Sequence, residues 1–147
     1  MALTDSLRRQ HRAVSLLTMR LRELVEHYRG GTDDYRVTLQ LARLHSLLRR
    51  HLLEEDGALY PALLGSRDDR VTGLAREMQA QNGCLAENFE QFMVRWSSSA
   101  LIGSSFATFR AELHEVLDAL DARIEREEFE LYPLADRLAD RGQRRAA

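Results

Sequence analysis

The stretch HLLEEDGALYP, His51 to Pro61, decides how this chain folds. Leu41, Leu44 and Leu48 precede it at helical spacing, so it reads as the last turns of an amphipathic helix. A helix turns about 100° per residue, which puts His51 and Glu55 on nearly the same face as Leu44, Leu48, Leu52 and Leu59. A solvated charge run would sit opposite the leucines. This pair sits among them, where a carboxylate is costly unless a cation or hydrogen bonds compensate for the lost water.

Outward from this stretch, three more periodic segments appear. Thr4 or Asp5 can cap a first helix whose inward stripe is Leu7, His11, Val14, Thr18, Leu21 and Val25, with Gly30-Gly31 ending it. The second starts near Asp33, adds Val37 to the stripe above, and ends at Pro61 and Gly65. Asp68 or Asp69 opens the third, with Leu74, Met78, Asn82, Leu85, Phe89, Phe92 and Trp96 facing inward. Ser104 or Ser105 opens the fourth, with Leu113, Val116, Leu120, Ile124, Glu127, Leu131 and Leu134. Helices of this length with short connections predict an all-α, antiparallel up-down-up-down four-helix bundle. The connection Ser97 to Ser105 has an apolar centre and is read as folding over the bundle end, with partner binding as the alternative. The polar tail, residues 139–147, is expected to fray.

Composition bounds the function. A chain of 147 residues suits one domain, residues 1–147 with a core over about 3–138. Charged residues make up 30% of it, the net charge is −2, and there are only two prolines. That describes a helix-rich soluble domain with no broad basic field for nucleic acid. The N-terminus lacks a leader-like apolar run and no segment is long enough to span a bilayer, so a cytoplasmic location without membrane contact is expected. The single cysteine, Cys84, has no CxxC or Cys/His neighbourhood and is read as a core thiol. No serine-histidine-acid, phosphate-loop or thiolate motif suggests other catalysis.

The second half repeats the first. EEDGALYPAL is echoed by EREEFELYPLA, with Leu59-Tyr60-Pro61 and Leu131-Tyr132-Pro133 72 residues apart (131 − 59). Glu55 therefore matches Glu127, and His51 matches Arg123. In the preceding helices Leu7-Arg-Arg-Gln-His11 aligns with Met78-Gln-Ala-Gln-Asn82. The second half keeps the carboxylate and has neither histidine; no histidine lies between His51 and His114. Taken singly, an inward histidine is usually a hydrogen-bonded core residue and a glutamate on an amphipathic helix is usually solvated. Four such residues, His11, His51, Glu55 and Glu127, on the inward stripes of three helices are more economically explained by a shared cation.

This pattern resembles the haemerythrin-like, or HHE cation-binding, domain family: a histidine in helix one, His-x-x-x-Glu in helix two and the Glu-x-x-x-Leu-Tyr-Pro echo in helix four, over about Leu3 to Leu138. The resemblance implies a site between the helices for two irons, bridged by the two carboxylates. Carried over, His11, His51, Glu55 and Glu127 would be the protein ligands of one metal. The second metal lacks its histidines, and Asn82 and Arg123 are the remnants of its site. Two imidazoles and two carboxylates suit iron, manganese or zinc, with one ion per chain expected. Arg123 can stand in for the second cation, or extend outward to solvent.

The resemblance further implies a small diatomic or peroxide ligand and a role in oxygen, nitric oxide, peroxide or iron sensing. Peroxide decomposition is the enzymatic variant of that role, and a regulatory protein partner and a monomer or homodimer are consistent with it. The alternative is a metal-free bundle whose two carboxylates, arginine and protonated histidine balance in charge, acting as a protein-interaction module. His45 and His114 lie well around their helices from the site and are read as boundary residues. His27 suits a helix C-terminus, and Tyr60 and Tyr132 are read as packing over helix ends.

Overall fold

The computed structural model describes residues 2–146. It is all-helical, with no strand among the described residues. Helix α1 spans Leu3–Glu26 and α2 spans Thr32–Glu54, which continues through a π-helical turn, Glu55–Leu59, into α3, Tyr60–Leu64. Helix α4 covers Asp69–Arg95, and α5 is a short helix at Ser99–Ser104. Helix α6, Phe106–Arg126, passes through a second π-helical turn, Glu127–Leu131, into α7, Tyr132–Ala146. Helix α1 packs on α2, α6 and α7; α4 packs on α3 and α6; α5 bridges α2 and α6.

The boundaries follow from local chemistry. Gly30 and Gly31 take φ values of 83° and 62°, a region that side chains with a Cβ disfavour, and so allow the tight reversal between α1 and α2. Asp68 caps α4 by accepting a hydrogen bond from Arg70 N at 2.9 Å. Ser105 stands at the start of α6, as expected. Helix α1 begins at Leu3 rather than at a Thr4 cap. Asp5 instead accepts a hydrogen bond from Ala2 N, while Thr4 is buried with its hydroxyl on Asp136.

The π turns have a local cause. Proline has no N–H to donate, and its ring would collide with the carbonyl four residues back in an unbroken α-helix. Before Pro61 and Pro133 the helix widens, and the Tyr60 and Tyr132 amides donate to Glu55 O and Glu127 O, five residues back. The wider step turns both tyrosines to the buried side of their helices. Glu55, Leu59, Tyr60 and Leu63 are all buried, as are Glu127, Leu131 and Tyr132.

Two apolar clusters flank the site. One gathers Val14, Leu21, Leu44, Phe89, Phe109, Leu117 and their neighbours; the other gathers Leu7, Leu59, Leu63, Met78, Leu131 and the two tyrosine rings. A fully buried leucine contributes about 1.5–3 kcal/mol, so these clusters can hold a polar layer that contributes little by itself. Every inward residue expected on α1 is buried. On α4 and α6 the phase is slightly rotated: Leu74, Leu85, Val116 and Ile124 are half-buried, while Val71, Ala75, Phe109 and Leu117 go inside. The Ser97–Ser105 connection folds over the end as expected, with Ile102 fully buried in the first cluster.

One expectation is overturned. Cys84 is exposed, not a core thiol, because it lies two residues past Asn82 and so about 200° around the helix from the inward stripe. The tail is helical to Ala146, with no proline after Pro133 to stop it, and exposed from 139 on; residue 147 lies outside the described residues. No described helix is long and apolar enough to cross a membrane.

Candidate metal centre

The polar layer lies between the two clusters at one level of four helices. His11 sits between Leu7 and Val14 on α1, and His51 follows Leu48 on α2. Asn82 lies between Met78 and Phe89 on α4, and Arg123 and Glu127 lie between Leu120 and Leu131. Glu55 is fully buried and Glu127, His11 and His51 nearly so. His11 Nε2 lies 3.2 Å from His51 Nε2 and 3.1 Å from Glu127 Oε1, and His51 Nε2 lies 3.7 Å from that same oxygen. These three donors all fall within 4.8 Å of one another. Glu55 is not one of that trio, although its Oε1 is 3.0 Å from His51 Nε2.

The far nitrogens of both rings are fixed. His11 Nδ1 donates to Glu128 Oε1 at 2.8 Å, and Glu128 is held by Arg8 at 3.2 Å. His51 Nδ1 donates to Gln10 Oε1 at 2.8 Å; the Gln10 amide is oriented by donating to Glu54. Each acceptor fixes a proton on Nδ1, so that Nε2 presents an inward lone pair when its ring is neutral and an inward N–H when it is protonated. Two lone pairs 3.2 Å apart repel unless a cation or a proton lies between them.

Tyr132 stacks on His11, with its hydroxyl 3.1 Å from His11 Nε2, and donates to Glu55 Oε2 at 3.4 Å. Tyr60 accepts hydrogen bonds from Asn82 Nδ2 at 2.9 Å and Arg123 Nη2 at 2.8 Å. Burial, followed by the nearby carboxylates, pushes both tyrosines well above the ordinary phenol range and keeps them neutral. The tyrosines therefore reach into the site, which corrects the expectation that they only pack over helix ends. In unbroken α phase Tyr60 would lie about 140° from Glu55; the π turn reduces that offset.

Arg123 is buried and does not extend to solvent. Its Nη2 also donates to Met78 O at 2.7 Å, and its Nε is 3.5 Å from Glu127 Oε2, near enough to pair but not aligned as a hydrogen bond. Burial opposes charge on His51, but hydrogen bonds to Glu127 and Glu55 outweigh it and push the imidazole up to about 9. Burial raises the Glu55 carboxyl. Glu127 is held low against burial by hydrogen bonds from His11 and His51 and by the charge of Arg123.

A cavity of about 40 Å³ opens beside these groups. Its inner wall is His11, His51, Asn82, Arg123 and Glu127, and it runs between α2 and α4 past Leu48, Leu52, Leu85 and Phe89 to Arg49 and Glu90 at the surface. It has room for about one water or a molecule of similar size.

Of the sequence-predicted residues, His11, His51 and Glu127 come together, Glu55 touches His51, and Asn82 and Arg123 close the opposite side. His45 and His114 are half-buried elsewhere, paired with Glu90 and Arg22. Sequence reasoning missed Gln10, Glu54, Glu128 and Arg8. The aligned Gln10-His11 and Gln81-Asn82 pairs were the available signal for the first.

The donor set fits a cation: two fixed imidazole lone pairs, a carboxylate oxygen within reach of both, and a second carboxylate oxygen, Glu127 Oε2, buried without a hydrogen-bond partner. The family described as the hemerythrin HHE cation binding domain matches residues 2–135. The chain belongs to that family. Membership in the hemerythrin HHE family implies binding of a metal cation, and His11, His51 and Glu127 stand where one can be held. No curated protein and no solved structure matches the chain.

Proposed function

We propose that this hemerythrin HHE domain is a single up-down-up-down four-helix bundle that binds one transition-metal cation between His11, His51, Glu55 and Glu127. Iron is the first choice and manganese or zinc the alternatives. The ion would supply an open coordination position for dioxygen, nitric oxide or peroxide. The apolar passage between α2 and α4 admits molecules of that size and excludes larger ones. The chain's own residues do the rest. Gln10 and Glu128 hold the imidazole tautomers, Tyr132 caps His11, and Arg123 occupies the place of a second cation and holds Glu127 ionised. With one charge centre fixed as a guanidinium, a cytoplasmic sensor of small molecules or redox state is favoured over reversible dioxygen carriage, and over turnover of peroxide.

The facing Nε2 atoms of His11 and His51, each with its Nδ1 proton fixed, carry this reading. Elemental analysis of iron-loaded protein should find one ion per chain, and His51→Ala should find none. Wild-type protein should gain thermal stability from the metal, and the variant should not. Two ions per chain would end the single-site reading.

A second reading has its own support. His51 protonated, Arg123, Glu55 and Glu127 sum to zero charge, so the layer can persist without metal in a bundle kept for a regulatory protein partner. Protein that stays metal-free after loading, with stability unchanged by chelator, would select it.

A further inference from the structure

Residues 65–70 and 137–145 hold six arginines against three aspartates, in a chain whose net charge is −2. Helix α7 passes the corner between α3 and α4 there, and two concavities of about 560 and 300 Å³ open between them. They share Asp68, Leu138 and Arg141, so they form one groove. Val71, Leu134 and Leu138, part of the second apolar cluster, make its floor, and five arginines stand around it.

These arginines are unspent. Elsewhere the forks are used on carboxylates: Arg8, Arg22 and Arg126 each hold two. Among the described residues none of the groove arginines has an ion-pair partner, although Asp140 stands one turn from Arg137. The only side-chain hydrogen bond that any of them donates runs from Arg137 Nε to Pro133 O at 3.3 Å. Asp68, the one carboxylate on the groove, is committed to Arg70 N as the cap of α4. Five guanidinia facing one carboxylate leave a net charge of +4 on a concave surface, which focuses the field that an anion feels.

Shape points the same way. Gly142 lies inside α7 on the groove wall, between Arg141 and Arg145, and a Cβ there would meet no atom within 4 Å. Glycine weakens a helix relative to alanine, and the packing does not require it here. Its effect is to keep the wall open.

We propose that this groove binds a triphosphate group, free or carried on a nucleotide, through Arg67, Arg70, Arg137, Arg141 and Arg145. The planar fork of arginine pairs its N–H donors with two oxygens of one phosphate. A row of condensed phosphates brings several charges and many acceptor oxygens into one groove, whereas a lone carboxylate or single phosphate would leave most of the forks unmet. The apolar floor takes the arginine stems. The site is separate from the cation reading and does not depend on it.

Calorimetric titration with sodium tripolyphosphate in about 0.15 M salt, where distant surface charges are screened, tests this. One anion should bind per chain. Arg141→Gln, which removes the fork common to both concavities, should weaken it tenfold or more. Gly142→Leu, which changes no charge, should do the same by filling the wall. Arg43→Gln, Arg49→Gln and Arg50→Gln combined remove more charge from the outer face of α2 and should leave affinity within about twofold. All these positions are exposed, so each variant should keep the fold. In ¹⁵N-labelled protein the shifts should gather on residues 65–71 and 137–145. Adenosine triphosphate binding as tightly assigns the site to the triphosphate group itself; binding tenfold more weakly assigns it to the inorganic ion. No binding at that salt, an equal loss in the α2 variant or tolerance of Gly142→Leu overturns the site. Shifts centred on the metal centre, the mark of chelation by the anion, overturn it too. So does a single-stranded oligonucleotide that binds more tightly than triphosphate and loses affinity equally in both arginine variants, which would make the groove part of an unspecific polyanion surface.

Discussion

The two halves of the polar layer are built on one plan and present different groups. In the first half Glu55 is preceded one turn earlier by His51, 3.0 Å away; in the second, Glu127 is preceded by Arg123, 3.5 Å away. Gln10 holds His51 and Glu54, and its counterpart Gln81 accepts from Arg123 and Arg126, at the matching positions. Tyr132 touches His11, and Tyr60 touches Asn82 in the same relation. Helix phase, π turn and supporting amide are all retained while the residues they present have changed. The scaffold and the ligands are therefore separable: an imidazole or a guanidinium can hang from the same position. The first half presents lone pairs, and the second presents a permanent cation.

That separability can be pushed until it fails. Restoring the first half's chemistry in the second, with Asn82→His and Arg123→His together, should raise the bound cation from one to two per chain by elemental analysis. One ion, with the protein folded, would mean the scaffold of the second half has diverged too. Removing the cation without replacing it, as Arg123→Ala, should cost about 3 kcal/mol of metal-free stability in denaturant, because it takes a buried charge away from Glu127 and leaves the buried Oε2 facing no cation. A loss under about 1 kcal/mol would show the two halves to be electrostatically independent. Gln10→Ala frees the His51 ring to rotate and should weaken cation affinity about 10–100-fold in competition with a chelator. Unchanged affinity would show that packing alone orients the ring. Smallest of all, His45→Ala and His114→Ala should leave metal content unaltered and stability within about 0.5 kcal/mol.

Much of the comparison was legible in the chain itself. The paired Leu-Tyr-Pro triplets fix the correspondence of Glu55 with Glu127, the aligned Leu7–His11 and Met78–Asn82 runs match His11 with Asn82, and the stripes put both on inward faces, because helical phase is a property of spacing alone. The tyrosines were not legible in the same way. Continuing the α period past Glu55 turns Tyr60 away from the site, and only the widened turn before proline brings it back. Glu128 was hidden for a related reason: it reaches His11 across to another helix, from the residue after Glu127, where the period predicts a half-exposed position. Cys84 was legible in its spacing, since two residues past Asn82 the α period already turns it outside.

The polar layer between the two apolar clusters also bears on which arrangements of the helices are possible. Leucine stripes by themselves are tolerant, since a helix slid by one turn, about 5.4 Å, would still meet leucines. With His11, Asn82, Arg123 and the two glutamates set at a single level, such a slip would press a guanidinium and carboxylates against hydrocarbon with no partner. The layer thus acts as an alignment key for the four long segments. Swapping its members for leucines of similar volume should give a protein that still collapses and resists denaturant at least as well, but no longer has a single register.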